Sequence, residues 1–190
     1  MNEKLFQIEN LVREFLLAIG EDPEREGLRL TPQRVAEMLA ELTSGYRTDP
    51  KELVGGAIFT VEYDEMIVVK DIEFYSLCEH HITPFFGKAH VGYIPDGRVI
   101  GFSKIPRIVD HFSHRLQLQE RLTEEIANFL MEAITPQGVG VVLEGFHLCM
   151  AMRGVKKQEA RMVTSAMKGL FRRDPRTRAE FLELIGQGKG

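Results

Sequence analysis

Strand-forming runs in this chain come in clusters separated by pairs of helices, not singly between helices, and that grouping restricts the fold more than any other feature. β-Branched runs occupy 58–63 and 66–70, and further strand-like segments lie at 87–94 and later at 139–144, 145–152 and 159–164. Parallel strands need a long crossover, usually a helix, between each consecutive pair, whereas antiparallel strands close through turns of a few residues. The order therefore predicts an α+β fold with a largely antiparallel sheet. Asp64-Glu65 between the first two runs suggests a hairpin or adjacent strands, and Pro95-Asp96-Gly97 is a strong turn signal after the third.

The helical segments are legible by their 3.6-residue period. Leu5, Ile8, Leu11, Val12, Phe15, Leu16 and Ile19 form one apolar stripe, ended by Gly20. Thr31 is placed to cap a second helix with Pro32 at its first position and Val35, Met38, Leu39 and Leu42 on its apolar face. Ser103 caps a third, through Ile105, Ile108, Val109 and Phe112, and a longer one runs from Leu118 to Leu130 before Pro136-Gln137-Gly138 breaks it. Residues 176–185 make a short closing helix, and 186–190 a frayed glycine-rich tail. With 190 residues, 44% of them hydrophobic and 27% charged, one sizeable core is the expectation. The chain reads as a single domain over 1–190, with N-terminal helices in 1–50, a sheet-bearing part in 51–185 and a tail.

Charge and hydropathy exclude some classes of function. The 24 Lys and Arg against 28 Asp and Glu give a net charge of -4, so no overall field gathers nucleic acid. No apolar run reaches membrane-spanning length, and Met1-Asn2-Glu3-Lys4-Leu5 lacks the pattern of a secretory signal, so no membrane partner and a cytoplasmic address are expected.

The chemistry concentrates around the two cysteines, Cys78 and Cys149. In a reducing compartment such a pair points to a metal or redox site sooner than to a structural disulfide. Cys78 and His81 are separated by two residues, a spacing that lets a turning backbone direct thiolate and imidazole onto one ion. With Cys149 the set has three ligands, where structural zinc takes four, leaving a position for a reacting water. Of the adjacent His80 and His81 only one readily joins the metal, so the other remains as a proton carrier. Read as a strand, Phe146-His147-Leu148-Cys149-Met150 sends His147 and Cys149 to one face, and Arg153 joins them if the strand continues. Ser103, Lys104 and Arg107 at a helix start form a candidate phosphate cradle. His90, His111 and His114 show no ligand spacing. Three other readings stay open: buried cysteines that act as small hydrophobes, a noncatalytic zinc-stabilised oligomer that binds a purine or pterin, and an enzyme using Cys78 as a nucleophile.

Ser76-Leu77-Cys78-Glu79-His80-His81, Gly92-Tyr93-Ile94-Pro95, Gly101-Phe102-Ser103-Lys104-Ile105, Gln117-Leu118-Gln119-Glu120-Arg121-Leu122-Thr123 and His147-Leu148-Cys149-Met150 stand in this order. From about Thr31 to Ile185 the chain thereby resembles the GTP cyclohydrolase I family. The resemblance implies a tunnelling fold, with antiparallel sheets of several subunits forming a barrel flanked by helices, and a homodecamer with active sites between subunits. It implies conversion of GTP and water to formate and 7,8-dihydroneopterin triphosphate, with a zinc-activated water attacking guanine C8. Cys78, His81 and Cys149 then resemble the zinc ligands, His147 the group that protonates the purine ring nitrogen, and His80 a second acid/base. Ser103, Lys104, Arg107 and Arg153 resemble sugar and triphosphate contacts, Gln119 and Glu120 the guanine anchor, and Arg34 a phosphate contact from a neighbouring subunit. His114 and Phe102 depart from the usual family residues at positions with no expected catalytic role, and the longer N-terminal extension of some relatives is expected to be missing.

Overall fold

The computed structural model describes residues 2–186, so most of the expected tail, 187–190, lies outside the described residues. The chain divides into two compact units, Met1–Ser44 and Gly45–Gly190.

The first unit contains α1 (Asn2–Ala18) and α2 (Thr31–Leu42). α1 stops where Gly20 takes φ +89°, a conformation that glycine reaches without a Cβ clash. Thr31 does not cap α2: Leu30 holds the cap position and Thr31 is already helical, with Pro32 after it. The chain turns one step earlier than expected, because the Thr31 amide donates to the Leu28 carbonyl at 2.9 Å.

A 3₁₀ turn, Ser44–Tyr46, leads into the second unit. There follow α3 (Pro50–Val54), β1 (Ile58–Thr60), β2 (Ile67–Cys78), β3 (Pro84–Ile94), β4 (Arg98–Ile100), α4 (Lys104–Ser113), β5 (Leu116–Gln117) and α5 (Gln119–Ile134). β6 (Gly138–His147), α6 (Leu148–Ala151), β7 (Met162–Gly169), α7 (Leu170–Arg173) and α8 (Pro175–Gly186) complete it. The main sheet has the order β5-β2-β3-β6-β7 and is antiparallel except for the two-residue pairing of β5 with β2. The α+β class with an antiparallel sheet and flanking helices is thus as expected.

β1 and β2 do not form a hairpin. β1 pairs with β4, Ile58 opposite Ile100, because the chain beyond β1 stays engaged with the turn after β3, where the Val61 amide donates to the Gly97 carbonyl at 3.1 Å. β2 also extends past the expected run, through a bulge at 69–72 where Asp71 takes φ +59° and its amide donates to His90 Nδ1 at 3.1 Å.

Strand alternation gives the sheet two faces. On one, Phe74, Phe85, Val91, Val139, Val141 and Leu143 pack against Ile105 and Ile108 of α4 and Leu122, Ile126 and Leu130 of α5. On the other, Phe171 and Phe181 of α7 and α8 pack on Val142. Two glycines make room for those rings: a Cβ at Gly140 would lie 2.5 Å from Phe171 Cδ1, and one at Gly92 would lie 2.7 Å from Phe181 Cδ2.

Residues 145–152 are not one strand. β6 ends at His147 and α6 begins at once, closed by the Met152 amide on the Leu148 carbonyl at 3.0 Å. Leu-Cys-Met-Ala contains no β-branched residue to resist that turn. Cys149 therefore sits on a helical turn, and Arg153 lies beyond α6 on an exposed turn, not on the strand face.

Candidate functional site

The loop between β2 and β3 carries two of the expected ligands. Its closure is set by the backbone: the Cys78 amide donates to the Thr83 carbonyl at 2.9 Å, and the amides of Ile82 and His81 return to the Cys78 carbonyl at 2.8 and 3.3 Å. Ile82 absorbs the reversal at φ +51°, a region costly for a β-branched residue. His81 is thereby folded back on Cys78, with Nδ1 3.8 Å from Sγ.

The helical turn of α6 brings the third group. Ligand atoms of Cys78, His81 and Cys149 all lie within 4.8 Å of one another. Tetrahedral zinc requires about 3.8 Å between two sulfurs and about 3.5 Å between sulfur and nitrogen, from bond lengths of ~2.3 and ~2.0 Å. The donor set fits: two soft sulfurs and one imidazole, with Cys78 buried and His81 exposed on the outer side. Burial, and then the neighbouring Cys78 sulfur, push the Cys149 thiol up, while the Thr83 hydroxyl pulls it down. A divalent cation among the three reverses that balance, because it stabilises thiolate directly. Thr83 was not foreseen from sequence: its Oγ1 is buried without a partner of normal hydrogen-bond geometry, and no motif marks it.

His80 is exposed beside His81, with the two rings 6.1 Å apart and nearly perpendicular, and it is not among the three clustered side chains. His147 is held more firmly. Phe85 stacks on its ring at 4.5 Å and 5°, and its Nε2 lies 2.9 Å from Gln119 Oε1. Burial pulls the His147 pKa down, and the Glu120 carboxylate opposes this. Glu120 is thus close enough to act on His147 electrostatically while itself exposed.

Gln119, the neighbour of Glu120, is buried. Its side chain is 1% exposed, and its amide nitrogen faces Leu143 O, Met162 O and Thr164 Oγ1 at 3.1, 2.9 and 3.1 Å. Its amide nitrogen is engaged inside the protein, and of the expected guanine-anchoring pair Glu120 is the exposed member. Ser103 and Arg107 are exposed and Lys104 half-buried at the start of α4, where the Ser103 hydroxyl makes no capping bond and stays available. Arg34 is exposed on α2, in the first unit. Beside the ligand loop, Glu79 is ion-paired with Arg121, which also donates to Gln117 Oε1 at 2.9 Å. A cavity of about 710 Å³ opens on the other face of the sheet, lined among others by Lys88, His90, Glu144 and Arg161, and includes none of the ligand set.

The family model for GTP cyclohydrolase I matches residues 8–186. A GTP cyclohydrolase 1 from Chlorobaculum tepidum is 57% identical over 184 residues, covering 97% of this chain and 82% of the relative. One from Leptospira biflexa is 58% identical over 181 residues, covering 95% and 99%. Among solved structures, an archaeosine synthase QueF-like protein in the apo form aligns with 55% of this chain and 93% of its own at a TM-score of 0.46 and 21% identity.

Proposed function

Because the chain belongs to the GTP cyclohydrolase I family, we propose that the cluster of Cys78, His81 and Cys149 is its catalytic centre and that zinc is the ion held there. The enzyme converts GTP and water to formate and 7,8-dihydroneopterin triphosphate. The observation that carries the zinc assignment is the convergence of two sulfurs and one imidazole within 4.8 Å, with His81 on the exposed side. When bound, zinc supplies the Lewis-acid activation that brings a water to reactivity near neutral pH.

The chain's own residues divide the remaining work. His147, immobilised by Phe85 and Gln119, exchanges a proton with the ring nitrogen beside C8 as that bond opens. His80, exposed to solvent, serves the later proton transfers, in which formate leaves and the ribose rearranges. Glu120 anchors the guanine edge by accepting hydrogen bonds, and Ser103, Lys104, Arg107 and Arg153 hold sugar and triphosphate by charge-assisted hydrogen bonds. Arg34 adds a phosphate contact from a neighbouring subunit. A homodecamer with sites between subunits agrees with a sheet in which β7 pairs on one side only among the described residues. No helix of the described residues is long and apolar enough to cross a membrane, and a cytoplasmic location is part of the same proposal.

Metal content, formate and pterin are measured on one preparation. Cys149→Ala is expected to lose zinc and activity together, whereas His147→Ala keeps zinc and loses about 10²- to 10⁴-fold in formate release. Full turnover of GTP by metal-free protein overturns the zinc assignment.

A further inference from the structure

The environment of His147 determines more than its position. Thr123 Oγ1 donates its one proton to the Gln119 carbonyl at 2.7 Å. The 2.7 Å contact between Thr123 and Thr164 hydroxyls must therefore take its proton from Thr164, which leaves Thr164 Oγ1 only as an acceptor toward Gln119. The other two neighbours of that amide end, Leu143 O and Met162 O, are carbonyls and accept only. Three acceptors surround one end of the amide, so that end is the NH₂ and the opposite end is the oxygen. An amide oxygen cannot donate. The 2.9 Å contact between Gln119 Oε1 and His147 Nε2 consequently requires a proton on Nε2.

We infer that Gln119 is a positioning residue that fixes neutral His147 as the Nε2–H tautomer, so that every proton His147 gives to or takes from substrate passes through Nδ1. This rests on the catalytic reading of His147 above and refines it. Two further features hold the arrangement. Rotating the imidazole by 180° would put a carbon in place of Nε2 and lose the bond to Gln119, while Phe85, stacked at 4.5 Å, keeps the ring in its plane. Gly145, two residues before His147 on β6, leaves the space the amide fills: a Cβ there would lie 2.2 Å from Gln119 Oε1 and 3.5 Å from His147 Nε2. The glycine inside this strand thus has a local reason, the close approach of a polar side chain that orients an acid/base group.

The test uses the zinc-loaded protein with ¹⁵N-labelled histidine at pH 8, where imidazole is neutral. His147 signals are identified by their loss in His147→Asn. Solid-state NMR is expected to show a proton-bearing Nε2 and a bare Nδ1; a proton on Nδ1 overturns the inference. Kinetics separate positioning from guanine binding. Gln119→Leu is expected to lower kcat about 10- to 100-fold with unchanged zinc content and KM for GTP within about threefold. Gly145→Ala, which leaves both carbonyls and Gln119 present, is expected to shift the same way if Gln119→Leu fails to fold. A tenfold or greater rise in KM with kcat retained would make Gln119 a guanine contact and sink the idea. The outcomes are independent of the functional reading: absent formate release with an Nε2–H tautomer in the wild type refutes the activity and leaves the hydrogen-bond assignment standing.

Discussion

His111 should make the protein's stability depend on pH, by an amount its surroundings set. The side chain is buried on α4, with Nδ1 2.8 Å from Thr48 Oγ1 and Nε2 against the Arg115 guanidinium. A guanidinium only donates, so Nε2 is bare and the imidazole proton sits on Nδ1, directed at Thr48. A second proton would break the Arg115 bond and place two cations together. Burial, and after it Arg115, hold the His111 pKa down to about 4, with Asp49 opposing. The unfolded chain has a value of about 6.5. Because the folded value is the lower one, the unfolded state takes up the proton first. The contribution to stability is complete above pH ~6.5, is lost as pH falls from there toward ~4, and changes little below that.

At 1.36 kcal/mol per unit, the full span is about 3 kcal/mol, of which roughly 2 kcal/mol or slightly more is gone by pH 4.5. Urea unfolding at pH 7.0 and 4.5, at fixed protein and zinc concentrations, is compared for wild type and His111→Gln. Carboxylates and metal ligands titrate alike in both proteins, so the difference between the two pH-dependent losses isolates His111. Wild type is expected to lose about 2 kcal/mol more than the variant. Equal losses, or a larger loss in the variant, would refute the reasoning.

Two other substitutions probe packing and backbone. Gly140→Ala drives a methyl to 2.5 Å from Phe171 Cδ1 and is expected to cost about 1–3 kcal/mol, partly recovered in a double-mutant cycle with Phe171→Leu; additive losses would show that the ring is not the obstacle. Ile82 is 58% exposed at φ +51°, so Ile82→Gly gives up little packing and is expected to raise the urea midpoint by the equivalent of about 0.5–1 kcal/mol with unchanged metal content. A lower midpoint would mean the isoleucine side chain holds the loop.

The features legible in the sequence were those whose cause is local. The apolar periods of α4 and α5, the breaker at 136–138 and the two-residue spacing of Cys78 and His81 each depend on neighbours a few positions away. What escaped depends on partners far along the chain. β1 chose β4, about forty residues on, over the adjacent β2, and nothing in the β-branched runs encodes that choice. The segment around Cys149 alternates polar and apolar residues for only five positions, too few to separate a strand from the strand end and helical turn that form there. Helical geometry nonetheless brings Cys149 to Cys78 and His81, so the three residues meet as alternation had indicated but for a different reason. Gln119 is a different case, because a glutamine beside a glutamate looks the same in sequence whether its amide nitrogen is free or meets three buried acceptors. Only the chain of donors from Thr164 through Thr123 to the Gln119 carbonyl, assembled from α5 and β7, shows which end of the amide meets His147. The orientation of His147 is therefore set as much by the sheet and helix packed beneath it as by the sequence motif that displays the histidine.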